Sequence, residues 1–277
     1  MLMGHCHLFP GGFGQSKRDA LGVPGTAEHL VRFLAACGFD QAQILAPVED
    51  PASPSVTSRI ENADGLDWLL GQPSVGIDAA SKLLPAATIN PSRKSAVDKL
   101  HRAISRGVRM LKFHPIIMRS NPLDQACQGF FAEAAHAGMP IVYHTGGGDW
   151  GWTADAARIS VCAELAARHP RLPILMAHCG VFGQSDEFDA AVAACAVHPN
   201  LFLDTTFALL AVGRERWQKA LGALGAARVV YGTDYPWISP AKVAEELAFI
   251  DSLGVPPAGR DLILGGNLLS LQQAACA

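Results

Sequence analysis

The chain has 277 residues, of which 49% are hydrophobic and only 17% charged, with a formal net charge of −3. So apolar a composition excludes a disordered chain. Lysines and arginines scattered without a basic run or a basic–aromatic stripe argue against a nucleic-acid partner. No uninterrupted apolar stretch reaches the roughly 18 residues that a membrane span needs, so no membrane association is expected. The start, Met1-Leu2-Met3-Gly4-His5, lacks a charged segment followed by an apolar one, which predicts no signal peptide. The seven cysteines are odd in number and form no CxxC pair. They read as small buried hydrophobes in a reducing cytoplasm.

Short apolar runs alternate with longer amphipathic stretches almost to the end of the chain. Residues 1–7 form the first run, followed by a glycine-rich loop at 10–25 and a helical pattern at 27–37. The run 43–46 leads into a polar, proline-rich segment, 48–73, with helical character around 65–70. The run 83–89 precedes a helical pattern at 94–105, 108–114 precedes 125–137, and 141–144 precedes 154–168. In the same way 174–178 precedes 187–197, 201–204 precedes 214–221, and 228–233 precedes 241–253. Gly138-Met139-Pro140 and Arg171-Leu172-Pro173 are turn signals just ahead of strands, where proline is tolerated at the first position.

Eight strands, seven of them clearly followed by a helix, predict parallel pairing with right-handed crossovers. Eight such units predict an α/β fold of one kind, a single closed (β/α)₈ barrel over residues 1–277 with no second domain. A parallel sheet buried on both faces also accounts for the hydrophobic composition. An open dinucleotide-binding sheet needs GxGxxG after the first strand. Gly12-Phe13-Gly14-Gln15-Ser16-Lys17 fails at the third glycine.

The polar residues of interest fall at the same place in each unit. His5 and His7 end the first strand, Lys112 and His114 the fourth, His144 the fifth, His178 the sixth and Asp234 the eighth. In a barrel these strand ends meet at one mouth, where active sites form. A spacing of two puts His5 and His7 on one face of a strand and Cys6 on the other. Two imidazoles from one strand make half of a zinc site. His144 and His178 each close an apolar strand and are soon followed by glycine; either alone could be a hydrogen-bonded core histidine. Asp234 either caps the helix that follows or meets a cation, since a carboxylate at that depth is costly without a partner. Taken together, five such residues at one mouth point to a metal site.

Lys112 has three readings. It is a carboxylated lysine bridging two metals, a binder of an anionic substrate group, or a structural ion-pair residue. His114 shares its strand parity and is expected to line the same pocket. The loops at 10–25, 146–152 and 235–237 leave the mouth and would carry specificity. Trp150, Trp152 and Trp237 either stack on a planar substrate or pack within those loops.

Gly4-His5-Cys6-His7, Lys112-Phe113-His114-Pro115, Val142-Tyr143-His144-Thr145-Gly146, Ala177-His178-Cys179-Gly180 and Tyr231-Gly232-Thr233-Asp234-Tyr235-Pro236 together resemble the amidohydrolase superfamily, in its amidohydrolase family 2 branch. The closing Ile263-Leu264-Gly265-Gly266-Asn267 resembles the same branch, so the likeness runs from the first strand to the last helix. The resemblance implies that His5, His7 and His144 bind one divalent metal, most often zinc. It implies that Asp234 ligates the metal or takes a proton from its water, and that His178 is a further ligand or a catalytic residue that orients and polarises. Members of the branch usually carry Asp two residues before the first histidine. Here that position is Met3, a departure that touches support around the site more than the ligands.

Two activities fit this ligand set. The first is hydrolysis of a small carboxylic ester, lactone or amide by a metal-activated water. The alternative is non-oxidative decarboxylation of an aromatic or unsaturated carboxylic acid. A barrel used only for binding is a third reading, opposed by the presence of all five residues together. No GxSxG, HExxH or P-loop supports a serine hydrolase, zincin or nucleotide-hydrolase reading. The expected partner is a small-molecule substrate, with formation of a homo-oligomer left open.

Overall fold

The computed structural model describes residues 1–9, 25–46, 65–78, 80–147, 154–183 and 185–275. Its strands are β1 (Leu2–His7), β2 (Gln41–Leu45), β3 (Leu83–Thr88), β4 (Leu111–Phe113), β5 (Ile141–His144), β6 (Ile174–Ala177), β7 (Leu201–Asp204), β8 (Val229–Val230) and β9 (Gly232–Tyr235). All pair in parallel with their neighbours, β8 with β7 and β9 with β1. The last two are halves of the predicted eighth strand, broken at Tyr231. There the backbone N–H is taken by the Ile263 carbonyl of the C-terminal segment rather than by a strand. One half thus closes on β7 and the other on β1, giving the expected (β/α)₈ barrel.

Alternation along the strands sorts side chains into two layers. Leu2, Leu45, Met110, Val142, Leu175 and Val230 meet inside the barrel, where Leu268 packs against them from the C-terminal helix Asn267–Ala274. Met3, Cys6, Leu111, Phe113, Tyr143 and Met176 belong to the layer shared with helix residues such as Leu30, Phe33 and Phe131. Burying a leucine- or phenylalanine-sized side chain is worth about 1.5–3 kcal/mol, so both layers fix the phase of each strand. The helix Ala27–Cys37 shows how the connections are terminated. Thr26 accepts the His29 N–H at its start, and Gly38 at φ 76° ends it, a left-handed position where glycine meets no steric penalty.

Phase decides what reaches the mouth. Met110, just before β4, is inside, so Lys112 in β4 and His114 just beyond it follow on the same side. In β1 strict alternation from Leu2 would place His5 and His7 outside with Met3. The pairing of β1 with β2 runs Met3 to Ala42 and then Cys6 to Ile44, which leaves one extra residue in β1. This bulge, centred on His5 with φ 49°, resets the alternation. Cys6 goes to the outer layer, and His5 and His7 go to the mouth. Among the described residues no helix is long and apolar enough to cross a membrane.

Candidate metal centre at the barrel mouth

His5, His178 and Asp234 are all buried, and each offers a ligand atom within 4.8 Å of those of the other two. They come from β1, the end of β6 and β9. All three have left-handed backbone, with φ of 49°, 65° and 55°. Such angles cost non-glycine residues roughly 1–3 kcal/mol each and persist where surrounding structure imposes them. At Asp234 the cause is a second bulge: Gly4 pairs with Gly232 but Cys6 with Tyr235, leaving one extra residue in β9. At His178 the chain turns sharply into a short 3₁₀ segment, His178–Gly180. Its neighbour Ala177 lies in the inner cluster, so alternation alone would turn His178 outward.

The other two predicted ligands adjoin this trio. His7 Nε2 lies 3.1 Å from Asp234 Oδ1, and His144 Nδ1 lies 3.2 Å from His178 Nε2. The Lys112 Nζ is buried and 3.2 Å from His5 Nε2. His114 packs its ring on His144, centroids 3.8 Å apart, and its Nδ1 accepts the Ile117 N–H at the start of the short helix Pro115–Met118. Trp237 meets His7 edge-on at 5.9 Å. Trp150, Trp152 and most of the glycine-rich loop lie outside the described residues.

Sequence reasoning missed a second carboxylate. Asp204 ends β7, is fully enclosed, and sets Oδ2 2.9 Å from His5 Nδ1. Its Oδ1 accepts the Thr206 N–H at 2.9 Å and the Thr206 hydroxyl at 2.5 Å. The signal was available, because Leu201-Phe202-Leu203-Asp204 ends an apolar strand as the histidine strands do. Sequence reasoning also missed Phe9, Phe182 and Phe207. Phe9 stacks on His7 at 5.5 Å and touches Trp237. Phe182 and Phe207 lie 4.6 Å and 5.7 Å from the His178 ring. The histidines therefore sit between two aromatic walls.

Burial sets the charge state of the imidazoles. It pushes His178 down to about 3 and His7 down to about 4, the latter despite Asp234 beside it. Burial likewise holds His114 and His144 well below their ordinary value. These rings are therefore neutral at pH 7 and keep a lone pair each. Burial pushes Lys112 down to about 8, with Asp234 and Asp204 opposing. At Asp234 burial disfavours ionisation, but His7, His5 and His178 outweigh it and hold the carboxyl well below the usual range.

Neutral imidazoles around an ionised carboxylate are the donor set of zinc and its neighbours. Asp234 Oδ1, His7 Nδ1 and His144 Nε2 are buried without hydrogen-bond partners; the 3.1 Å approach of His7 to Oδ1 is off the line of a hydrogen bond. Leaving a buried acceptor unpaired costs roughly 1–3 kcal/mol. A divalent cation among His5, His178 and Asp234 would satisfy Oδ1, so the residues fit a metal.

A family model described as amidohydrolase matches residues 5–267. No curated protein matches the sequence. Solved structures do match in shape. An uncharacterised TIM-barrel protein from Bordetella bronchiseptica is 18% identical, with all of both chains covered and a TM-score of 0.76. An amidohydrolase from Burkholderia multivorans with bound zinc is 14% identical over 98% of each chain, with a TM-score of 0.70. A 5-carboxyvanillate decarboxylase from Sphingomonas paucimobilis is 14% identical over 99% of this chain and 98% of its own, with a TM-score of 0.65. At these identities the likeness is one of fold.

Proposed function

The chain belongs to the amidohydrolase family, and from that premise we propose that it is a metal-dependent hydrolase of a small carboxylic ester, lactone or amide, with zinc as its metal. The observation that carries this reading is the convergence of His5, His178 and Asp234 beside an unpartnered carboxylate oxygen. His7 and His144 complete the proposed ligand set. A divalent cation there supplies Lewis acidity, lowering the pKa of a water towards about 7 and polarising a carbonyl.

The chain's own residues do the rest. Asp234 accepts the proton of the attacking water at Oδ1 and returns it to the leaving group. The neutral His178 orients the substrate oxygen. The Lys112 ammonium, enclosed beside His5, binds an anionic group of the substrate. The described cysteines are all free thiols, which suits the reducing cytoplasm proposed as its compartment.

One observation favours the second reading, decarboxylation of an aromatic or unsaturated acid. The aromatic walls of Phe9 with Trp237 and of Phe182 with Phe207 would hold a flat carbon skeleton, and similar structures include a 5-carboxyvanillate decarboxylase and a 2,6-dihydroxybenzoate decarboxylase. Metal analysis of the purified protein followed by a screen of lactones, amides and aryl carboxylates separates the two. A ring-opened or cleaved acid supports hydrolysis. Release of CO₂ without hydrolysis replaces it with decarboxylation, and full activity after complete metal removal defeats both.

A further inference from the structure

We propose that the segment leaving β7, Asp204 to Thr206, fixes the tautomers of His5 and His178, so that each carries its hydrogen on Nδ1 and keeps a bare Nε2, which in His5 lies 3.7 Å from Asp234 Oδ1; the inference rests on the metal-dependent reading above. The protons available along this segment decide the tautomers. The Thr206 hydroxyl donates to Asp204 Oδ1 at 2.5 Å. A hydroxyl has one proton, so towards His5 Nδ1, 3.2 Å away, the same oxygen only accepts. Asp204 Oδ2, at 2.9 Å, also accepts. Two acceptors face Nδ1. That nitrogen therefore carries the hydrogen, and Nε2 keeps the lone pair.

The same short segment treats His178 in the same way. Its Nδ1 lies 3.3 Å from the Thr206 carbonyl oxygen, which has no proton to give, so Nδ1 donates and Nε2 is left as an acceptor, 3.2 Å from His144 Nδ1. Two histidines from strands on either side of β7 around the barrel, β1 and β6, are thus read by one anchor. The anchor is itself held in place. Asp204 Oδ1 receives the Thr206 N–H at 2.9 Å as well as the hydroxyl, and the Asp204 carbonyl accepts the Cys179 thiol at 3.0 Å. Rotation of the carboxylate would break two hydrogen bonds.

The opposite tautomer of His5 would aim an N–H at the space between His5, His178 and Asp234, where a cation needs a lone pair. Asp204 is in this sense a positioning residue, because it acts through His5. Asp204→Asn is the discriminating change. Its oxygen must still accept from the two Thr206 donors, which leaves the amide NH₂ facing His5 Nδ1. An NH₂ is a donor, so it forces the hydrogen of His5 onto Nε2.

The experiment is ¹⁵N NMR of histidine-labelled, metal-free protein, with zinc affinity measured by chelator competition. The wild type is expected to show His5 and His178 protonated at Nδ1. Asp204→Asn is expected to show His5 protonated at Nε2 and to bind zinc about 10- to 100-fold more weakly, while the His178 signal stays as it was. A merely structural role for Asp204 would not move the tautomer. Wild-type zinc affinity and an unchanged His5 spectrum in Asp204→Asn would overturn the proposal. So would a wild-type His5 protonated at Nε2, which decides the matter even if the variant does not fold. A wild type that binds no zinc but keeps His5 protonated at Nδ1 sinks the functional reading and leaves the tautomer assignment standing.

Discussion

His5 and Asp234 face each other from paired strands with Nε2 3.7 Å from Oδ1, and each sits at a β-bulge with left-handed backbone, φ 49° and 55°. The bulges are complementary: β1 carries its extra residue against β2, and β9 carries its extra residue against β1. Both residues are thereby aimed at the mouth by backbone geometry that an unbroken strand would not provide. The left-handed angles are the energetic cost of that aim.

That cost is measurable at His5. A glycine tolerates φ 49° without a steric penalty, whereas alanine carries the same penalty as histidine, on the order of 1–2 kcal/mol. Metal-free His5→Gly is therefore expected to unfold at higher denaturant than His5→Ala by about 1 kcal/mol, reversing the usual order for a strand residue. Both variants are expected to lose zinc affinity. Equal stability, or a more stable alanine variant, would show that the strain is not there.

Asp234→Asn separates the two roles proposed for Asp234. The amide keeps the shape and one oxygen but removes the basic carboxylate. The expected protein folds, retains much of its metal and loses about 10²- to 10⁴-fold in kcat, the usual loss for a missing acid–base group. Metal content and kcat measured on the same preparation check this. Near-normal turnover in the metal-loaded variant would remove Asp234 as the proton acceptor.

The barrel was legible because each apolar run is also a strand with a fixed layer on each face, and period-2 alternation carries straight through Met110, Lys112 and His114. The five mouth residues were legible because each ends such a run. His5 and His178 were placed on the right side of the sheet only because a bulge and a tight turn override alternation, and neither has a sequence signature beyond the residues themselves. Asp204 went unread for a different reason. It too ends an apolar run, but a carboxylate that hydrogen-bonds a histidine from another strand has no characteristic spacing to mark that role, and its partner His5 lies 199 residues away. Phe182 and Phe207 follow strand ends in loops whose path is set by tertiary packing, so their place against His178 is a property of the fold.

A titration far from the metal centre is expected in the outer layer. Glu246, on the helix Pro240–Asp251, accepts the Tyr231 hydroxyl at 2.8 Å. Burial pushes its pKa up to about 7, against the Tyr231 hydrogen bond and Lys242 and with help from Glu245. A carboxyl with a raised folded pKa binds its proton more tightly folded than unfolded, so its contribution is full below about 4.5 and is lost as pH rises to about 7. Glu246→Gln imitates the neutral acid at every pH. Relative to it, the wild type is expected to lose up to about 3 kcal/mol of stability between those limits, read from denaturant unfolding at several pH values. Parallel pH profiles for the two proteins would show that Glu246 does not titrate in this window.

Gly232 tests how tightly the mouth is packed. It begins β9, and a Cβ built there would lie 2.5 Å from Thr206 Oγ1, 2.8 Å from Asp204 Oδ1 and 2.8 Å from the His5 Cβ. These atoms belong to the hydrogen-bonded group that orients His5, and none is the free end of a flexible chain. Relief would need movement of the Asp204 carboxylate or of the His5 backbone. Gly232→Ala is therefore expected to destabilise the protein by about 1–3 kcal/mol and to weaken zinc binding at the same time. Gly222 is the control. It lies in the helix Arg214–Leu224, where an added Cβ meets nothing within 4 Å. There the same substitution is expected to stabilise by about 0.5–1 kcal/mol, because alanine is the better helix former, with zinc affinity unchanged. Melting curves and chelator competition on the two variants make the comparison. A Gly232→Ala protein that melts with the wild type and binds zinc as tightly would mean that the contacts around His5 are slack, and that its aim does not depend on the packing of Asp204 and Thr206.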